Sequence, residues 1–212
     1  VATWCIVVAA GVGSRFGGER PKQYAPLGDR RVLDWSLATA AASCDGVVVV
    51  VPPDRVEEAE PLADVVVAGG ATRSDSVRSG LAAVPLRGVD VILVHDAARP
   101  LASAALFDRV IAAVRDGADG AIPGVPVTDT IKRLAGDLVV ETVERDDLVA
   151  VQTPQGFRAD LLRRAHEAGG SATDDAALIE ALGGQVVAIA GEDVNRKLTT
   201  PADLVWAAAQ LS

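Results

Sequence analysis

A three-layer α/β sandwich around a mostly parallel sheet is the fold class this sequence predicts, and three observations predict it. Short continuous apolar runs at residues 4–9, 47–51 and 90–94 read as strands buried on both faces, as the strands of parallel sheets are. Segments with apolar residues at helical spacing lie between them, so strand and helix alternate along the chain. Glycine-rich or polar motifs follow directly on the strands, at the edge where open sheets of this kind bind ligands.

Taken in order, residues 4–9 form the first strand and run into the glycine-rich stretch 11–18. A helix is expected over 31–43, where Val32, Leu33, Trp35, Ser36 and Leu37 place a buried face at helical spacing. Residues 47–51 are the second strand, stopped by Pro52 and Pro53, after which Asp54 is expected to cap a short helix through residue 60. The third strand, 65–67, ends at the Gly69-Gly70 turn, and a helix over 72–84 leads to the fourth strand, 90–94. Ser103 caps a helix to about residue 115, and 120–125 is a fifth strand. Residues 131–143 break the alternation and read as two short strands about a turn at Gly136 and Asp137, a protruding arm over 129–145. Helices over 158–168 and 173–182, a strand at 186–189 and a helix over 201–211 follow. No internal repeat, linker or low-complexity tract interrupts the chain, so one domain over 1–212 is expected.

The chain has 212 residues, half of them hydrophobic, which is ample for a sizeable core. A net charge of −9 argues against nucleic-acid binding, because phosphate backbones are held by an excess of Lys and Arg. Cys5 and Cys44 are too few and too apolar in setting for a disulfide framework or a metal site, and both read as reduced core thiols. The apolar start lacks a basic segment of the signal-peptide kind, and no run reaches the ~18 apolar residues of a membrane span. A cytoplasmic protein with no membrane partner is expected.

The stretch 7–24 carries the chemistry. Gly11 and Gly13 can take positive φ and let successive backbone N–H groups approach an anion. Arg15 offers a planar fork for phosphoryl oxygens, and Lys22 a compact mobile charge. The nucleotide-triphosphatase loop is excluded, since the chain contains no Gly-Lys pair, and the dinucleotide fingerprint fails at Phe16, where it needs glycine. An NAD-dependent oxidoreductase using Gly11 and Gly13 is therefore the remoter alternative.

Further blocks follow later strands. Gly69-Gly70-Ala71-Thr72-Arg73-Ser74-Asp75-Ser76 opens a helix, where bare N–H groups bind anions and the serines either cap or meet a base edge. In His95-Asp96-Ala97-Ala98-Arg99-Pro100, a carboxylate at the end of an apolar strand needs water, a cation or a donor. Asp96 is placed to hold Mg²⁺ with a triphosphate, the alternative being a simple pair with Arg99. His95 points to the opposite side of the strand and reads as structural.

The run Ala9-Ala10-Gly11, Gly13, Arg15, Pro21-Lys22-Gln23-Tyr24 resembles the signature loop of nucleotidyltransferases that join a nucleoside triphosphate to a phosphorylated polyol or sugar. With the His95–Pro100 block it is similar to the 2-C-methyl-D-erythritol 4-phosphate cytidylyltransferases and the related ribitol 5-phosphate enzymes. Val8 departs from the pattern, where a proline is expected, and the arm is short. The resemblance implies a Rossmann-like nucleotidyltransferase fold and transfer of CMP from CTP to 2-C-methyl-D-erythritol 4-phosphate, ribitol 5-phosphate being the alternative acceptor. It implies catalytic roles for Arg15 and Lys22, and nucleotide binding by Ala9, Ala10, Gly11, Gly13, Gly70, Ala71, Ser76 and Asp96, with Asp96 on Mg²⁺. It further implies a homodimer in which the arm crosses to a second subunit, so that Thr130 and Arg145 reach the neighbour's phosphate substrate. Lys197 falls on the substrate-phosphate lysine, Thr173 on a substrate-contacting threonine that capping alone would also explain, and Arg99 on the acceptor side. No second catalytic unit is expected after residue 212, which speaks for a single-activity form.

Overall fold

The computed structural model describes residues 1–11, 21–58, 60–170 and 172–211. β1 (Ala2–Val8) leads through a 3₁₀ turn (Lys22–Tyr24) to a minimal hairpin of β2 (Pro26–Leu27) and β3 (Arg30–Arg31). Then come α1 (Val32–Ser43), β4 (Gly46–Val51), a second 3₁₀ turn (Pro53–Arg55), β5 (Val65–Ala68), α2 (Arg73–Ala83), β6 (Val89–Asp96), α3 (Ala104–Arg115) and β7 (Gly120–Pro126). The arm is β8 (Ile131–Ala135) and β9 (Leu138–Val143), followed by β10 (Val149–Val151), β11 (Gln155–Arg158), α4 (Ala159–Glu167), α5 (Ala176–Ala181), β12 (Val186–Ala190) and α6 (Pro201–Ala209).

The main sheet has the order β10-β7-β11-β6-β1-β4-β5, with β12 also paired to β7. β1 lies between β6 and β4, parallel to both, and β5 runs parallel to β4, as β12 does to β7. β11 is antiparallel to both β6 and β7. The chain thus goes one way from β1 through α1 to β4, and returns across β1 through α2 to β6. That reversal places the two helices on opposite faces. Alternate residues of β1 show it: Cys5 and Val7 pack with Leu33 and Leu37 of α1 and Phe107 of α3, while Ile6 packs with Val77 of α2 and Leu162 of α4. Both faces of β4 are buried along its whole length, which is why its sequence is an unbroken valine run.

One expected element changes and one unexpected strand appears. The helix from Asp54 to residue 60 is only the short turn Pro53–Arg55, because Pro61 disfavours helix at Glu60, whose side chain is instead drawn inside to pair with Arg31 at 2.7 Å. β11 was not foreseen, since Gln155-Gly156-Phe157-Arg158 has no strand-like apolar pattern; Phe157, wholly buried, supplies its hold on the core. The arm forms as expected about Gly136, whose φ of +59° is the left-handed value the turn needs. Ser103 caps α3 by accepting from the Leu106 N–H. Cys5 is buried and Cys44 partly so, neither in a disulfide. Among the described residues no helix is long and apolar enough to cross a membrane.

Candidate active site

Because β1, β4, β5, β6, β7 and β12 all run in one direction, the segments after β1, β4, β5, β6 and β12 gather at one edge of the sheet. They enclose a cleft of about 640 Å³ lined by Ala9, Ala10, Gly11 and Lys22 after β1, Pro52 to Asp54 after β4, Gly70 to Arg73 and Ser76 after β5, Asp96 at the end of β6, and Lys197 and Thr199 after β12.

The floor is backbone. Gln23, buried, donates to the carbonyls of Ala9 and Gly11 and so holds the chain open after β1. Gly11 does not use positive φ; a Cβ there would meet nothing within 4 Å, so its bare Cα faces open space in the cleft. Gly69 has the opposite reason for being glycine, since a Cβ would lie 2.2 Å from the Ala10 methyl. The Gly70 N–H donates to Ser76 Oγ, and Thr72 caps α2 in a reciprocal pair with Asp75. Both serve the start of a helix whose N–H groups face the cleft, a setting that suits an anion.

The walls carry charge. Asp96 Oδ2 accepts from Lys197 Nζ at 2.6 Å, and Oδ1 lies 3.5 Å from Arg73 Nε. Burial acts to raise the Asp96 pKa, but Lys197 and then Arg73 outweigh it and hold the carboxyl well below the usual carboxylate range. Arg73 also donates from Nη1 to Asp175 at 2.8 Å; burial disfavours its charge, yet Asp175 and Asp96 together raise its pKa. Lys197 is aimed by its neighbour: Leu198 is buried among Leu27, Val32 and Ala207 and its N–H donates to the Ala98 carbonyl, so the residues on either side face the cleft. Lys22 Nζ donates to the Leu198 carbonyl at 2.7 Å, which joins the segments after β1 and β12.

Beneath the cleft, Thr153 Oγ1 accepts from the Asp96 N–H and shares a hydrogen bond with His95 Nδ1. His95 itself faces Phe107 on the far side of the sheet, and burial lowers its pKa to about 4. It is structural, as the strand alternation predicts.

Of the residues singled out in the sequence, Ala9, Ala10, Gly11, Lys22, Gly70, Ala71, Ser76, Asp96 and Lys197 line one cleft. Gly13 and Arg15 lie outside the described residues. Arg99 is not paired with Asp96: its two terminal nitrogens donate to the carbonyls of Asn195 at 2.7 Å and Val151 at 3.1 Å, stapling the segments below Lys197. Thr130, Arg145 and Thr173 are exposed and do not line the cleft, Arg145 donating to the Thr128 carbonyl. Asp174, rather than Thr173 or Asp175, caps α5, by accepting from the Ala177 N–H.

Arg73 and Asp175 are the functional candidates that sequence reasoning did not assign. Arg73 had a signal, being the first residue of a helix that opens at a strand end. Asp175 had none, since its partner stands 102 residues away. Two carboxylate residues line the cleft, Asp54 in the segment after β4 and Asp96 at the end of β6, and no cluster of three or more His, Cys, Asp or Glu groups exists among the described residues. One or two carboxylates completed by phosphate oxygens and water are the donor set magnesium uses, so the residues fit that ion and not a calcium cage.

This chain is similar to known proteins. The family model described as 2-C-methyl-D-erythritol 4-phosphate cytidylyltransferase matches residues 3–212. The protein of that name from Rhodococcus jostii is 49% identical over 213 residues, covering 96% of this chain and 92% of that protein. The bifunctional enzyme IspD/IspF of Nitratidesulfovibrio vulgaris is 47% identical over 223 residues, covering 95% of this chain and 56% of its own length, so the chain spans about half of such relatives. The crystal structure of the Thermus thermophilus cytidylyltransferase superposes with a TM-score of 0.81 at 38% identity, covering 97% of each chain. The chain belongs to the 2-C-methyl-D-erythritol 4-phosphate cytidylyltransferase family.

Proposed function

We propose that this protein transfers CMP from CTP to 2-C-methyl-D-erythritol 4-phosphate, giving 4-diphosphocytidyl-2-C-methyl-D-erythritol and pyrophosphate in isoprenoid precursor biosynthesis, and that it does so in the cytoplasm. The observation that carries the reading is the cleft itself: a glycine-lined backbone floor and a helix start, faced by Lys22, Arg73 and Lys197, the last two paired with Asp96. Family membership supports cytidylyl transfer as the chemistry that this anion-binding geometry serves.

A phosphate oxygen of the acceptor attacks the α-phosphorus of CTP in line; a new P–O bond forms, the bond to the β-phosphate breaks, and pyrophosphate leaves with its electron pair. No covalent enzyme intermediate is required, so the protein's task is alignment and charge stabilisation. The nucleotide sits with its base against Gly70, Ala71 and Ser76 and its phosphates over Ala9 to Gly11, with a role for Gly13 carried from the family resemblance. Lys22 exchanges the Leu198 carbonyl for phosphate oxygens and, with Arg15, stabilises charge developing at the α-phosphate and on the leaving group. Asp96 would hold Mg²⁺, which would supply charge neutralisation to the phosphates. Lys197 positions the acceptor phosphate, helped by Thr173 and by Arg99, which keeps the Asn195 to Lys197 segment in place.

The active form is a homodimer in which Thr130 and Arg145 of each arm complete the other copy's acceptor site. The arm supports this: Leu134, Leu138, Val139 and Val140 are each more than half exposed on a two-stranded ribbon that is not part of the main sheet. Such a ribbon is marginal by itself and needs a surface to lie against.

The test is pyrophosphate release with each of four nucleoside triphosphates against 2-C-methyl-D-erythritol 4-phosphate and ribitol 5-phosphate. Release confined to CTP with the methylerythritol acceptor is expected. Preference for ribitol phosphate would reassign the acceptor, and no release from any pair would refute the reading.

A further inference from the structure

Behind the cleft lies a chain of contacts that leads away from any reacting atom. His166 on α4, 3% exposed, lies with Nε2 2.9 Å from Asp175 Oδ1, and Asp175, 1% exposed, accepts from Arg73 Nη1 through its other oxygen at 2.8 Å. Asp175 stands at the start of α5 yet makes no capping bond there. A carboxylate so deeply placed is expensive to bury, and an apolar side chain would fill the position at no loss to the helix. Its two oxygens serve one imidazole and one guanidinium.

The distances show what this achieves. A guanidinium able to pivot beside a carboxylate closes to a bidentate pair at about 2.7–2.9 Å. Arg73 makes that short contact with Asp175 and stops at 3.5 Å from Asp96. We propose that Asp175, oriented by His166, is a positioning residue that ties the Arg73 guanidinium back, so that Arg73 faces the nucleotide and Asp96 keeps an oxygen open to the cleft. The inference builds on the proposed cytidylyl transfer, since it gives Arg73 a nucleotide to face. Without the tether, Arg73 folds onto Asp96, and both are withdrawn from the site together.

Steady-state kinetics on the full chain tests this with Asp175→Asn, Arg73→Lys and their double variant. Asp175→Asn and Arg73→Lys are each expected to raise KM for CTP about tenfold, and the double variant no further than the worse single one, as residues acting through one contact do. A lowered melting temperature with KM for CTP unchanged, or losses that add in the double variant, would overturn the proposal. His166 supplies a second pair that survives if Asp175→Asn does not fold. His166→Gln keeps an N–H donor for Asp175 and is expected within about twofold of wild type, whereas His166→Leu shifts KM for CTP as Asp175→Asn does. Equal behaviour of Gln and Leu would refute the tether. If wild type releases no pyrophosphate, the cytidylyl-transfer reading falls instead, and CTP affinity of the same variants by titration calorimetry, read against the same expectations, decides the tether separately.

Discussion

The cleft and the arm are built on opposite principles. In the cleft the key charges are held by partners within the same chain: Lys197 and Arg73 on Asp96, Asp175 behind Arg73, Lys22 on the Leu198 carbonyl. On the arm, Thr130 and Arg145 are exposed, and the ribbon between them presents leucine and valine to solvent. A region organised by its own contacts is ready before ligand arrives, whereas a region that exposes its apolar groups needs a second surface to define it. In the proposed dimer, each site joins a pre-set half to a half that assembly completes.

Removing a cleft cation should have the largest effect. Lys22→Ala is expected to lower kcat by about 10²–10³, with an unchanged circular dichroism spectrum, because one oxyanion donor is lost from an otherwise intact frame. Near-normal turnover would remove Lys22 from the mechanism. Below the cleft, His95 makes the frame pH-sensitive. Its folded pKa of about 4 is below the unfolded value, so its contribution is fully present above roughly pH 6.5 and is lost as pH falls from there toward 4. The shift corresponds to about 3 kcal/mol across that window, read as a falling melting temperature, and His95→Gln should flatten the slope. A slope of the same size in that variant would assign the effect to other groups. The arm should respond least in folding and most in assembly. Leu138→Asp with Val140→Asp is expected to change the melting temperature of the monomer by less than about 1 kcal/mol equivalent, since both side chains are already exposed. The same pair should convert a dimer into monomers by light scattering; an unaltered dimer would place the interface elsewhere.

Much of this was legible in the residue pattern because it depends on short-range rules. The unbroken valines of β4, the Ser103 cap of α3 and the Gly136 turn of the arm are local decisions, and each forms where the sequence places it. The lining of the cleft by Gly11, Lys22, Gly70, Asp96 and Lys197 follows from a topological rule, that such motifs sit after parallel strands. The helix after Asp54 and the strand β11 escaped that logic. Glu60 is withdrawn by an arginine far back in the chain, and Gln155 to Arg158 become a strand only because β6 and β7 leave a gap between them.

By itself, then, the sequence determined the alternation of elements, the glycine-rich floor and the identity of the charges that follow the strands. Only the tertiary structure decided how those charges are partnered: Asp96 with Lys197 and Arg73 rather than Arg99, and Arg73 tethered to Asp175 across 102 residues. The physical reason is that the preference of a helix or a turn is set by neighbours along the chain. The energy of a buried charge is set by whichever opposite charge the fold brings within about 3 Å, and no local pattern encodes that meeting.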